Sequence, residues 1–249
     1  MKLVFIDETE NSTHVPGFYA VCAVAIDATM YKKVRQEIDG ALDTCGWNRK
    51  HEFKGACMFS KRKGDPSVPV PARVDVVERV VSSTLSRANA RAASAVAWNE
   101  CGPGVENHLA LLEQAVTGAL KSKPPAGKGK DLCIVFADQK DSVPLDRLSA
   151  AVHNAAGSRG FRLVEDVVVV RSSCSWPGVL LADVLAYLAM WTYAFHKLGT
   201  AQATLFDDQD VPLTDAQIKK ISAVQEVLET GSDLRFCPKL PKLNSIGVK

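Results

Sequence analysis

Residues 132–137, LCIVFA, read as the clearest buried strand in the chain, and CIVFAD at residues 133–138 ends as LVFID does at residues 3–7. Each is a short aliphatic and aromatic run, of strand rather than helix length, that finishes on an aspartate. Around them, Gly17 to Ile26 (GFYAVCAVAI) reads as a strand that can pair with the first through a polar loop, giving a hairpin. Arg91 to Trp98 and Leu163 to Arg171 add two more strands, although the alanines of RAASAVAW leave helix open as an alternative.

Between the strands, apolar residues at helical spacing predict helices over residues 30–45, 71–87, 106–121, 145–157 and 214–229. HEFKG, residues 51–55, reads as a short extended piece leading into a basic surface loop, KRKGDPSVPVP. Strands interspersed with helices predict an α/β domain with helices covering a mixed sheet. No linker divides it, so one domain is expected over residues 1–249, with a helical extension from about residue 200 to 249.

A content of 47% hydrophobic and 23% charged residues is that of a globular protein rather than a disordered one. The net charge of +2 points neither toward nor away from nucleic acid, so any phosphate-binding surface must be a local patch. Seven cysteines, an odd number with no C-x-x-C pair, argue against both a disulfide framework and a thiolate zinc site. The apolar stretch before Asp7 is too short for a secretory signal, and the cytoplasm is the expected compartment.

Pro177 to Phe195, PGVLLADVLAYLAMWTYAF, is long enough to raise a membrane span. Asp183 inside it would cost about 2.5 to 3.5 kcal/mol on insertion. The run also opens with Pro-Gly and has no second comparable segment, so a buried helix of a soluble domain is the better reading. An unpaired carboxylate there either neutralises, finds a cation or binds a metal.

Aspartates at strand ends serve as turn or capping residues, or as ligands at the edge where α/β sheets bind their substrates. If the strands ending at Asp7 and Asp138 are neighbours, the two carboxylates converge and repel unless a cation lies between them. An all-oxygen ligand set suits Mg²⁺ or Mn²⁺. Asp183 has no capping role inside its helix, since Ser173 or Ser175 caps it better, and this favours a site. Glu52 in HEFKG is a fourth acid, between His51 and Lys54, and Glu8 is a further candidate ligand unless strand alternation turns it to the other face.

In order and content these segments resemble the DUF3800 family of bacteria and phages, whose members have an RNase H-like fold. The resemblance is carried by FIDETENS, the E-x-K of HEFKG, the strand-end Asp of IVFADQKDS and WPGVLLADVLAY, which is similar to the family's P-G-L-Q-L-A-D-L-x-A signature. It implies that Asp7, Glu52, Asp138 and Asp183 form an acidic centre for two divalent ions, Mg²⁺ or Mn²⁺, about 3.5 to 4 Å apart, that hydrolyses phosphodiester bonds. Thr9 stands where the family often has Ser, and Glu10-Asn11 replace its usual glycine-containing pair, which alters the first hairpin loop but removes none of the acids.

The expected function is therefore a metal-dependent nuclease acting on DNA or RNA, with Lys54, His51 and the Lys61-Arg62-Lys63 run as candidate phosphate contacts. A non-catalytic nucleic-acid-binding or protein-interaction subunit on the same fold is the alternative. An actin-like phosphotransferase is disfavoured because DETENSTH and ADQKDS lack the glycines that cradle nucleotide phosphates.

Overall fold

The structure is a computed structural model, described here for residues 1–11, 17–57, 64–87, 90–99, 104–120, 131–138, 140, 142–170, 177–198 and 233–236. Strands β1 (Lys2–Asn11), β2 (Gly17–Asp27) and β3 (Ala90–Asn99) form an antiparallel meander. Strand β4 (Asp131–Asp138) adds to the free side of β1 in parallel, and the short strands β5 (Phe161–Leu163) and β6 (Val168–Val170) both pair in parallel with β4. An antiparallel meander extended by parallel strands on the side of its first strand is the topology of the RNase H-like fold. The helices are α1 (Tyr31–Thr44), α2 (Val70–Arg87), α3 (Val105–Ala119), α4 (Leu145–Ser158) and α5 (Pro177–Leu198).

Three sequence-based expectations are corrected. The first strand does not stop where its apolar run stops: the ladder with β2 carries the backbone through Asp7 and Glu8 to Asn11, because backbone pairing does not require apolar side chains. The expected strand over residues 163–171 is two strands, β5 along the start of β4 and β6 along its end, separated by a bend in which Glu165 and Asp166 are exposed. Inside the expected C-terminal helical extension, Asp233–Phe236 forms a strand, β7, parallel to β3. The predicted helix over residues 214–229 lies outside the described residues.

The sheet is buried on both faces, and β2 shows why its sequence is apolar throughout. Its Ala20, Cys22, Val24 and Ile26 pack with α1, α2 and α5, whereas Tyr19, Val21, Ala23 and Ala25 pack with α3 and α4. Helix α5 lies against β1 and β2, and Val179, Leu181, Ala182, Leu185, Ala186 and Ala189 are fully buried. This sheet contact, and not a bilayer, accounts for its hydrophobicity; among the described residues no helix is long and apolar enough to cross a membrane. The described cysteines Cys22, Cys45, Cys57 and Cys133 are free thiols.

Candidate metal centre

The register of β1 and β4 builds the floor of the site. Phe5 lies opposite Phe136 and Ile6 opposite Ala137, so the next residues, Asp7 and Asp138, sit side by side on strands about 4.8 Å apart. Phe5 and Phe136 stack on the α5 side of the sheet, with centroids 5.1 Å apart. Two residues further along each strand, Asp7 and Asp138 emerge on that same side.

Helix α5 lays Asp183 against this edge. Its first turn can approach because residue 178 is glycine: a Cβ there would overlap the Phe5 ring. Asp183 and Asp7 are both buried, at 8% and 4% exposed. The Gly55 N–H donates to Asp183 Oδ2 at 2.5 Å, and the Glu8 N–H donates to Asp7 Oδ1 at 2.7 Å. Gly55 opens a short 3-10 turn, Gly55–Cys57, that rests on α5 so closely that a Cβ would overlap the Tyr187 side chain.

That turn is held from behind by Arg73. The guanidinium is buried and donates to the carbonyls of Cys57 at 2.8 Å, Val68 at 2.8 Å and Asp65 at 2.7 Å. The loop after HEFKG was expected at the surface, yet its Asp65 and Val68 are buried. Burying the guanidinium is tolerated because three carbonyls meet its donors. Phe53 packs edge-on against Trp47, centroids 4.7 Å apart, and anchors the same segment.

Glu52 enters from this segment. Its Oε2 is 3.3 Å from Lys54 Nζ. Its Oε1 is buried with no hydrogen-bond partner among the described residues, a costly state for a carboxylate oxygen.

Electrostatically Asp183 links the acids: it acts on Asp7, and Glu52 and Asp138 act on it. Burial raises the Asp7 carboxyl well above the usual range, and Asp183, Asp138 and Glu8 add repulsion against the pull of the Glu8 amide. Burial pushes Asp183 up to about 6; Glu52 and Asp138 reinforce this, while the Gly55 amide and Lys54 oppose it. Desolvation alone would lower the Lys54 ammonium, but Glu52, Asp183 and Asp7 outweigh it and hold it above its ordinary value. The site therefore carries more negative charge than Lys54 offsets, and a proton or a cation is favoured between the acids.

These residues fit a hard divalent cation in donor chemistry: every candidate ligand is a carboxylate oxygen, and one of them is buried and unsatisfied. Among the described residues, no three His, Cys, Asp or Glu side chains stand close enough to hold an ion as they are. Ligation thus requires side-chain rotation about the positions the backbone fixes.

Glu8 does not join the other acids. Because β1 continues past Asp7, alternation turns Glu8 to the α3 and α4 side, where Lys140 Nζ donates to its Oε1 at 2.8 Å. His51 is exposed beside the segment, and Lys61, Arg62, Lys63 and Ser173 and Ser175 lie outside the described residues. Sequence reasoning missed the Gly55 amide and Lys140. The glycine of HEFKG was a visible signal for close backbone approach, but nothing local marked Lys140, two residues beyond a strand end.

No family model matches the chain, and no curated protein matches it significantly. Among solved structures it is similar to the ribonuclease H2 from Pyrococcus horikoshii OT3, at 13% identity over 92% of this chain and 88% of that one, with a TM-score of 0.41. A likeness of that degree carries no functional argument, so the site stands on the geometry above.

Proposed function

We propose that the chain is a divalent-metal-dependent nuclease of the DUF3800 family that hydrolyses phosphodiester bonds of DNA or RNA, with Asp7, Glu52, Asp138 and Asp183 holding Mg²⁺ or Mn²⁺. The observation that carries this reading is the mutual repulsion of the buried Asp7 and Asp183 with Asp138, and of Asp183 with Glu52, whose buried Oε1 has no hydrogen-bond partner among the described residues. When bound, the metal would supply neutralising charge and an activated water. Asp7 and Asp183 form the buried back of the site. Lys54, with its side chain 45% exposed, places an ammonium at the mouth where a backbone phosphate approaches, so substrate affinity falls with added salt.

Asp138→Asn tests the assignment: it keeps the strand-end geometry but removes one charge. Mn²⁺-dependent cleavage of single- and double-stranded DNA and RNA is expected to fall at least about 100-fold, with the near-UV circular dichroism unchanged. Cleavage at the wild-type rate would sink the proposal.

The second reading, a nucleic-acid-binding or interaction subunit that does not cut, is favoured by the lack of three preassembled ligands among the described residues. Calorimetry separates the two, since failure to bind Mn²⁺ at submillimolar concentration supports the non-catalytic reading.

A further inference from the structure

We propose that Lys140 is a positioning residue that clasps β1 to the end of β4 from the side of the sheet opposite the acids, and so sets where the Asp7 carboxylate sits. Its consequence for metal affinity rests on the metal-site reading above; the clasp itself does not.

Four side chains build it. Lys140 follows Asp138 by two residues, and its Nζ donates to Glu8 Oε1 at 2.8 Å and to the Tyr19 hydroxyl at 3.1 Å. The same ammonium is 5.0 Å from the centroid of the Tyr19 ring, a favourable cation–π distance. The Tyr19 hydroxyl in turn meets His108 Nδ1 at 2.5 Å. His108 is buried on α3, and burial together with Lys140 pushes it down to about 4, so it is neutral near pH 7. The Tyr19 hydroxyl donates its hydrogen bond to the Nδ1 of a neutral imidazole, which leaves the Tyr19 oxygen to accept from Lys140. Donors and acceptors therefore run in one direction, from Lys140 through Tyr19 to His108.

The clasp reaches the acids through the backbone. Glu8 is bound by its side chain to Lys140, and its own N–H donates to Asp7 Oδ1. Fixing the Glu8 side chain on one side of the sheet thus fixes the amide that holds the Asp7 carboxylate on the other. Partners of this outer kind tune metal affinity by about 10- to 100-fold in known sites.

Amide hydrogen exchange by NMR on the full chain without metal, followed by Mn²⁺ calorimetry, tests the idea. In Lys140→Met the Glu8 amide is expected to exchange at least about tenfold faster. The Val4 and Phe5 amides, deeper in the ladder, should be unchanged. Mn²⁺ affinity should fall about 10- to 100-fold. Lys140→Arg should restore both readouts, which a volume-filling role would not require. Glu8 exchange within about twofold of wild type in Lys140→Met overturns the clasp. A wild type that takes up no Mn²⁺ overturns the metal reading instead, and the clasp is then decided by exchange alone. If Lys140→Met does not fold, Glu8→Gln carries the same expectations.

Discussion

Asp7 and Glu8 are adjacent acids on one strand, yet the sheet sends them into opposite circumstances. Glu8 faces α3 and α4 and is paired with Lys140 at 2.8 Å. Asp7 faces α5, is more deeply buried, and has two further carboxylates, Asp183 and Asp138, as electrostatic neighbours on its own side. A paired acid contributes to the fold, whereas a buried acid among its own kind costs stability unless a proton or a cation offsets the repulsion. The contrast separates structural charge from site charge without reference to any relative.

Three measurements press on that contrast, beginning with the largest expected effect. Gly55→Ala should destabilise the protein by about 3 kcal/mol in urea unfolding, because the added methyl overlaps Tyr187. It should also weaken Mn²⁺ binding by moving the amide that holds Asp183. A full-affinity, fully stable Gly55→Ala would show that the turn does not seat against α5 as described.

Asp183→Asn should stabilise the metal-free protein at pH 7.5 by about 1 to 3 kcal/mol. The sign follows from its carboxyl, raised from an ordinary 3.8 to about 6 in the folded state. The folded state holds that proton more tightly than the unfolded chain. The relative stability is present below the ordinary value and is lost as pH rises through about 6. Asn carries no such penalty and keeps an oxygen for the Gly55 N–H, so its advantage should vanish near pH 4. Urea titrations at both pH values with a chelator present give the answer, and equal stabilities at pH 7.5 would remove the claim that Asp183 is an uncompensated acid.

The neighbouring pair gives the smallest effect and the sharpest sign. Asp7→Asn should raise the metal-free stability, while Glu8→Gln should lower it by about 1 kcal/mol as Lys140 loses its ion-pair partner. Changes of the same sign in thermal unfolding would erase the distinction between the two sides of the sheet.

Much of this architecture was legible before any coordinates. LVFID and LCIVFAD lie in strands because their apolar runs are short and dense; Asp138 ends its strand as expected, whereas Asp7 lies inside β1. The helix carrying Asp183 was legible from an apolar run broken by one charge. The extent of β1 beyond Ile6 was not, since Asp7 to Asn11 are polar and only the ladder with β2 keeps them extended. The division of residues 161–170 into β5 and β6 was hidden for a similar reason: each segment is defined by which part of β4 it pairs with.

The sequence by itself determined the burial of α5, the apolar runs that deliver Asp7 and Asp138 and the oddity of Asp183, because apolar runs, periodicity and the cost of burying a charge are local properties. Only the tertiary structure decided that Asp7 and Asp138 share a side of the sheet, that Glu8 turns away to Lys140, and that the Gly55 amide meets Asp183 across 128 residues of chain. Those outcomes depend on strand register and on contacts between distant segments. A shift of one residue in register would reverse every one of the strand side chains.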